Sequence, residues 1–301
     1  MNVRTATVLA YIFMCSIWGT TWLAIKIGLQ YLPPIAGAGL RFVVAGLVLY
    51  AVAVSMRKLP VRGTMPWKLI VLLATFLFGL NYMLTYTAET RLSSGLVAVL
   101  FGVLPFFMFA MGHYLIGERT TVRTWIGALL AFAGVAVISL AGDVRGSFWF
   151  ALAAIGAAAS SAFANVYAKR HSDVDPIVVL PPAMLLAGVV MTILGAIVER
   201  PDVSRALLPQ SIGAVLYLAV FGSGIAFFLN LWLLQRIEAW IVGLSALIIP
   251  VLAVIVGIVF GGEAFGVREL AGAAFVIAGV WIALAREKNM RIAPDGADTY
   301  T

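Results

Sequence analysis

The sequence predicts an all-α integral membrane protein whose ten transmembrane helices form two inverted repeats of five. Three observations predict this fold: the composition, the spacing of the apolar runs, and an internal repeat. Of the 301 residues, 63% are hydrophobic and 11% are charged, whereas soluble domains carry about 25% charged residues. A soluble core cannot bury so much apolar surface, so we expect the chain to lie in a lipid bilayer.

The apolar runs have the length of membrane-spanning helices. A hydrocarbon core about 30 Å thick is crossed by about 20 apolar helical residues. Runs of this kind lie near 8–27, 35–56, 68–88, 92–115, 122–141, 148–168, 177–198, 212–234, 240–260 and 268–285. The connections are short, and none has room for a soluble domain. The polar end of the chain, 291–301, is expected to be a disordered cytoplasmic tail.

The basic residues set the orientation, because cytoplasmic loops are enriched in Lys and Arg. With the N-terminus inside, thirteen basic residues fall on the cytoplasmic side and six on the other. We therefore expect both termini to be cytoplasmic. The net charge of +7 is spread over these loops rather than gathered in one patch, so we expect no nucleic-acid partner.

The chain matches itself when it is shifted by 145 residues. Between 73–140 and 218–285, 18 of 68 aligned positions are identical without a gap. This predicts one repeat at 1–145 and a second at 146–290. Each repeat holds five spans, so the second enters the membrane in the opposite orientation. Inverted repeats are typical of transporters that bind their substrate near the midplane, between the repeats.

Matched prolines and glycines are the candidate hinges. Pro105 and Pro250 lie near the middle of spans four and nine. A proline frees a helical carbonyl, which is tolerated at this depth only inside protein or beside a cavity. We expect paired kinks that help the two halves move, with ordinary packing as the alternative. Gly79 and Gly224 are further hinge candidates, and close helix packing explains them equally well.

Several stretches have a familiar order and spacing. They are "SIWGTTWLAIKIGL" and "GLRFVVAGLVL" in spans one and two, "GLNYMLTYTAETRLSSGLVAVLFGVLPFF" across spans three and four, and "GERTTVRTWIGALLAFAGVAVI" with its copy "GGEAFGVRELAGAAFVIAGVWIAL". Together they resemble the EamA family of the drug/metabolite transporter superfamily. The resemblance implies a ten-helix carrier of two inverted halves in the bacterial inner membrane. It also implies export of amino acids or other small metabolites.

A midplane substrate site needs a few polar groups in an otherwise apolar cavity. Span three offers Asn81, Tyr82 and Tyr86, and span eight offers Asn230 and Trp232. An asparagine at this depth is expected to point inward. Its amide could bind an amino or carboxyl group of the substrate, and a helix–helix hydrogen bond is the alternative.

Aromatic residues on other spans complete the predicted site. Trp18 and Trp22 are one turn apart on span one, Phe101 lies on span four, and Phe163 and Tyr167 are one turn apart on span six. Anchoring toward lipid is an equal alternative for the two tryptophans. If these rings converge, they suit an aromatic or apolar side chain on the cargo.

Charged residues near the ends of the spans have two explanations each. Lys26 and Arg41 could attract an anionic group of a substrate, although such residues more often extend to the membrane surface. Glu118 and its match Glu263 follow a glycine at the ends of spans four and nine. We expect them to cap a loop or to form an ion pair.

No carboxylate lies at mid-membrane depth in the predicted spans. Proton-coupled pumps usually need one there, so we expect weak or absent proton coupling. Glu89, near the outer end of span three, is the main residue that would change this expectation.

The sequence has no signature of an enzyme. No Gly-Lys dipeptide and no His-Glu-x-x-His occurs, so nucleotide hydrolysis and zinc proteolysis lack their motifs. We expect no catalytic residue, metal site or cofactor. The expected partners are a small-molecule substrate and the lipid bilayer, with the chain a monomer or a weak homo-oligomer. The alternatives are a multidrug or nucleotide-sugar carrier, or a scaffold that transports nothing.

Overall fold

The computed structural model describes residues 2–59, 65–92, 97, 100–139, 148–261 and 267–285. These residues form helices and turns, and no β-strand occurs among them. The helices of the first half are α1 (Val3–Gly28), α2 (Pro34–Ser55), α3 (Trp67–Leu72), π1 (Leu73–Leu80), α4 (Asn81–Glu89), α5 (Leu104–Ile116) and α6 (Val122–Ser139).

The second half follows the same plan. Its helices are α7 (Phe148–Arg170), α8 (Pro176–Val198), α9 (Val203–Ala206), α10 (Pro209–Tyr217), π2 (Leu218–Ile225), α11 (Ala226–Leu234), α12 (Ala239–Gly243), α13 (Ser245–Gly261) and α14 (Val267–Leu284). The predicted tail, 291–301, and Glu263 lie outside the described residues.

Six helical segments among the described residues are long and apolar enough to cross a membrane. They are Val3–Thr21, Pro34–Ser55, Trp67–Glu89, Phe148–Arg170, Pro176–Val198 and Pro209–Leu234. Shorter apolar helices lie at Leu104–Ile116, Val122–Val137, Ala239–Leu252 and Leu270–Leu284, and they overlap predicted spans four, five, nine and ten. The all-helical membrane fold is confirmed, and the count of ten spans stays a prediction.

The apolar residues divide between an interior and a lipid-facing exterior. Phe42, Phe78 and Trp240 are fully buried. Large apolar side chains such as Leu47 and Ile197 are more than half exposed on the outer helix faces. In water such faces would be costly, but they suit a bilayer, where hydrocarbon is the surrounding solvent.

Glycines bring helices of the two halves into backbone contact. A Cβ at Gly188 of α8 would lie 2.6 Å from the backbone nitrogen of Val43 on α2. A Cβ at Gly127 of α6 would lie 2.5 Å from the backbone nitrogen of Ala283 on α14. Small residues allow this approach, which in a membrane replaces the hydrophobic effect as the source of helix association.

The predicted hinge residues fall at irregular points of the helices. Gly79 and Gly224 lie in π1 and π2, which are themselves 145 residues apart. Pro105 lies in the first turn of α5, after a turn at 102–103, rather than inside a continuous helix. Pro250 lies inside α13, which follows a turn at Leu244.

Candidate functional site

A cavity of about 150 Å³ lies between the halves, with walls from both. A cavity of about this size in another protein holds a benzene molecule, so this one has room for a small ring or aliphatic chain. Six of the predicted binding residues line it: Trp18, Asn81, Tyr82, Tyr86, Phe101 and Asn230. The predicted hinge residue Pro250 lines it as well.

Three predicted binding residues lie away from this cavity. The ring of Phe163 packs 5.1 Å from Phe76, and the ring of Tyr167 lies 4.5 Å from His171. Trp232 is covered by the guanidinium of Arg236, 3.8 Å from its ring. The side chain of Trp22, the remaining predicted residue, lies outside the described part of the chain.

The face of α7 that meets the cavity carries Ser161 and Asn165. The residues predicted from the sequence, Phe163 and Tyr167, lie on the aromatic face of the same helix. An alanine-rich helix gives no hydrophobic periodicity from which to choose a face. The presence of Asn165 in this apolar helix was the available signal, because an amide in a membrane helix is expected to point inward.

An aromatic cluster forms one wall of the cavity. The Trp18 and Phe227 rings meet edge to face at 5.4 Å, and Tyr82 lies 6.4 Å from Phe227. Behind them, Phe42 packs edge to face on Tyr82 at 4.8 Å. Such edge-to-face pairs fix the orientation of the rings, which gives the cavity a wall of defined shape.

Amides supply much of the polar surface, and each has a partner within the protein. Asn81 Nδ2 donates to the Leu77 carbonyl oxygen at 3.1 Å. Asn230 Nδ2 donates to Asn165 Oδ1 at 2.6 Å, and Asn165 Nδ2 donates to the Ser161 carbonyl oxygen at 2.8 Å. These bonds hold the amides in place at the cavity wall.

Arg41 lines the same cavity and is 2% exposed. The expectation that it extends to the membrane surface is therefore wrong. Its Nε donates to Ser223 Oγ at 2.6 Å, and its Nη2 donates to the Gly222 carbonyl oxygen at 3.0 Å. The indole nitrogen of Trp18 donates to that carbonyl too, at 3.2 Å. Arg41 of the first half is thus attached to π2 of the second.

Glu89 also lines the cavity, toward its predicted outer side. It ends α4 and is partly exposed. The cavity wall therefore carries an acidic residue, Glu89, and a basic residue, Arg41, and both belong to the first half of the chain.

The predicted cytoplasmic side of the cavity is closed by hydrogen bonds and tight packing. Glu118 Oε1 accepts from the backbone N–H of Ala239, at 2.8 Å. Lys169 Nζ donates to the Ile237 carbonyl oxygen at 2.9 Å, and Tyr11 donates to that of Ile241 at 3.0 Å. Each bond holds the chain around α12 against a helix of another part of the bundle.

The Gly117–Glu118 pair follows α5, and the backbone conformation of Gly117 explains where the Glu118 side chain lies. Gly117 has a φ of 71°, which glycine adopts without steric cost. This turn directs Glu118 toward the first residue of α12, so of the two predicted roles the structure shows the cap. Burial raises the pKa of Glu118, while the Ala239 N–H and the charge of Lys169 act in the opposite direction.

The model of the EamA-like transporter family matches residues 5–140 and again 148–285. The chain belongs to the EamA-like transporter family. It is a membrane transporter, and the two matches together cover nearly all of the described helices.

Named EamA relatives agree with this assignment. An uncharacterized inner membrane transporter of Escherichia coli strain K12, YedA, is 32% identical over 274 residues, covering 90% of this chain and 88% of that protein. A probable amino-acid metabolite efflux pump of Salmonella typhimurium is 29% identical over 280 residues, covering 88% and 90%. A solved crystal structure with a TM-score of 0.84 and 23% identity covers 95% of this chain and 99% of its own, which shows the fold.

Proposed function

We propose that the chain is a bacterial inner-membrane carrier that exports amino acids or similar small metabolites, with aromatic or apolar side chains favoured. The observation that carries the proposal is the cavity between the halves, with ordered aromatic rings on one wall and amides on another. The names of the two relatives support the proposal: one is an inner membrane transporter, which supports the location, and the other is a probable amino-acid metabolite efflux pump, which supports the cargo class.

The transport cycle we propose is alternating access. Ten spans form inverted halves, 1–145 and 146–290, with both termini in the cytoplasm. In the observed state the cavity residues reach toward Ile25 and Glu89, whereas the other end is held shut by the bonds around α12. Rocking of the halves would release that end and close the first, so that the cargo crosses without an open pore.

The cavity volume favours a small cargo over the superfamily alternatives. About 150 Å³ accommodates a single ring, whereas a nucleotide sugar contains a base, two sugars and a diphosphate. A multidrug carrier remains an outcome of the transport test rather than a second proposal. We propose no catalytic role and no cofactor.

Flux into liposomes that contain only the purified protein tests the function. We expect saturable uptake of labelled L-phenylalanine. Tyr82→Ala removes a cavity ring and is expected to raise KM about tenfold, the cost of losing roughly 1.4 kcal/mol of binding. The control is Tyr114→Ala, because Tyr114 is 84% exposed outside the cavity. Absence of flux for every amino acid, with flux of lipophilic cations instead, would replace the proposed cargo by drugs.

A further inference from the structure

Arg41 is held in place at the cavity wall by groups that carry no full charge. Its described hydrogen-bond acceptors are Ser223 Oγ, the Gly222 carbonyl and, at 3.5 Å, the Tyr82 hydroxyl. The guanidinium carbon also lies 5.2 Å from the Tyr82 ring centre and 5.5 Å from that of Phe42. Rings and hydroxyls orient a cation but do not neutralise it.

One end of the guanidinium is left without a partner. Arg41 Nη1 is buried and has no hydrogen-bond acceptor among the described residues. The Tyr86 hydroxyl faces the guanidinium closely enough to interact with it both electrostatically and as a polar side-chain neighbour. It is uncharged, however, and it is not a hydrogen-bond partner of Nη1. In the described part of the chain the salt bridge is Lys58–Asp175, so no carboxylate lies within 4.0 Å of Arg41.

A buried cation in this condition is costly for the empty protein. A charge removed from water needs a counter-charge or a full set of hydrogen bonds, and inside a membrane this cost is larger. Nη1 has almost no accessible surface in this state, so an acceptor in the cavity reaches its two N–H groups only when a neighbouring side chain moves aside. Such an arrangement is expected where a ligand supplies the missing charge.

We infer that Arg41 is the anion-binding residue of the cavity and that the cargo carries a carboxylate on a small aromatic or apolar body. This inference rests on the proposed function and narrows its substrate class. A carboxylate oxygen accepts strong, charge-assisted bonds from a guanidinium. The rings of Trp18, Tyr82 and Phe227 would contact the apolar body of the cargo. A neutral amide would offer Nη1 a carbonyl oxygen but no counter-charge, and an organic amine would bring a second positive charge to the site.

The position of Arg41 also gives the cargo a way to act on both halves. Arg41 lies on α2 and is bonded to Gly222 and Ser223 of π2. A carboxylate bound to Nη1 would supply a counter-charge to a guanidinium that joins the halves. The cargo would therefore alter the contact that holds one state, which is what a carrier requires of its substrate.

A matched pair of small molecules tests the inference without the need for transport. The probes are 3-phenylpropionate and its neutral isostere 3-phenylpropionamide, and the readout is their dissociation constant for the protein in nanodiscs by calorimetry. We expect the acid to bind at least about tenfold more tightly than the amide, the range given by one charge-assisted hydrogen bond. Equal binding of acid and amide would overturn the inference.

Substitutions assign the preference to Arg41. Arg41→Gln should remove the preference for the acid, and Arg41→Lys should keep part of it because the charge is retained but the planar fork is lost. The control is Lys68→Gln, which removes one positive charge from an exposed position and should leave the acid preference intact. If Arg41→Gln does not fold, Arg41→Lys makes the assignment: a reduced acid preference supports Arg41, and an unchanged one refutes it.

Different results would refute the anion site and the proposed function. Acid preference that depends on Arg41, without flux of any amino acid, would keep the anion site and refute the amino-acid cargo. Saturable phenylalanine flux in a protein that binds acid and amide equally would keep the carrier and refute the anion site. An unchanged acid preference in Arg41→Gln would move the anion contact elsewhere and also refute the assignment.

Discussion

The Asn165–Asn230 pair joins two helices that both line the cavity. Asn230 donates to Asn165 at 2.6 Å, and Asn165 donates onward to its own helix. The amides are 6% and 3% exposed, so neither can exchange its partner for bulk water. The helix–helix hydrogen bond, one of the two roles that the sequence left open, is therefore present.

Asn230→Leu should lower stability, because it leaves Asn165 Oδ1 without its donor. Interhelical side-chain bonds in membranes contribute about 0.6 to 2 kcal/mol, which predicts a lower midpoint of thermal unfolding in detergent. The double variant Asn165→Leu with Asn230→Leu should recover part of the loss, since no unpaired amide remains. If the unfolding midpoint falls equally in the single and double variants, the hydrogen bond contributes little to stability.

Glu118 is a buried carboxylate whose pKa predicts a pH dependence. Burial raises that pKa above its ordinary value of 4.5, so the folded state holds the proton more tightly than the unfolded state. The stabilisation from this group is complete below pH 4.5 and is lost as the pH rises through the raised pKa.

Glu118→Gln should make stability less dependent on pH in that window. The glutamine keeps an oxygen for the Ala239 N–H but does not titrate, so at neutral pH the variant should unfold at the same temperature or higher. Glu118→Ala should instead lose about 0.5 to 2 kcal/mol, as when a helix cap is removed. An unchanged pH profile in Glu118→Gln would show that this carboxylate does not control it.

At the level of single residues, the sequence identified part of the cavity and missed the rest for physical reasons. Trp18, Asn81, Tyr82, Tyr86, Phe101 and Asn230 line it, and each is a polar or aromatic residue in an apolar span. For Arg41 the membrane surface was the favoured of two explanations, because the sequence does not show that Ser223 and Gly222 of a distant helix lie beside it. Pairing across 182 residues is a property of the folded chain.

Among the helix contacts that connect the halves in the described part of the chain, α2 with α8 and α6 with α14 bring glycines against the backbone of the partner helix. Their glycines leave no space for a larger side chain, since a Cβ at Gly188 would lie 2.6 Å from the Val43 backbone nitrogen. These crossings are candidates for the rigid part of the carrier, whereas the π helices and the turns before Pro105 and Pro250 are candidates for the moving part.

Gly188→Leu should destabilise the protein, because the added side chain would force α2 and α8 apart. Overpacking typically costs about 1 to 3 kcal/mol. The matched control is Gly213→Leu, since a Cβ at Gly213 meets no atom within 4 Å and the position is exposed. The thermal unfolding midpoints of the two variants in detergent give the comparison. Equal midpoints would contradict close packing at Gly188.

The π helices illustrate what an apolar sequence cannot specify. Gly79 and Gly224 were recognised as special, but uniformly apolar helices carry no periodicity that distinguishes a π turn from an α turn. The structure shows the reason for both glycines. A Cβ at Gly79 would lie 2.9 Å from the Ala74 carbonyl, and one at Gly224 would lie 3.3 Å from the Ala219 carbonyl, five residues earlier in each case.

At the scale of the whole molecule, the lack of a carboxylate at mid-membrane depth in the predicted spans leads to a prediction about energy coupling. We propose a carrier that runs down the gradient of its cargo, although Glu89 lines the cavity. Glu89→Gln should therefore keep most of the phenylalanine flux, and a pH gradient across the liposome should not drive accumulation. Accumulation that requires the gradient and disappears in Glu89→Gln would show proton coupling instead.

The central claim is that the cargo crosses by opening of the end closed around α12. A Cβ at Gly243 would lie 2.6 Å from Met108 Sδ, so cysteines at these two positions face each other and are candidates for a disulfide, whose formation the thiol count checks. The decisive measurement is phenylalanine flux through Met108→Cys with Gly243→Cys in a Cys15→Ala background, before and after oxidation. Flux that stops on oxidation and returns with a reductant supports alternating access; undiminished flux through the cross-linked protein, with both thiols shown to be consumed, would contradict it.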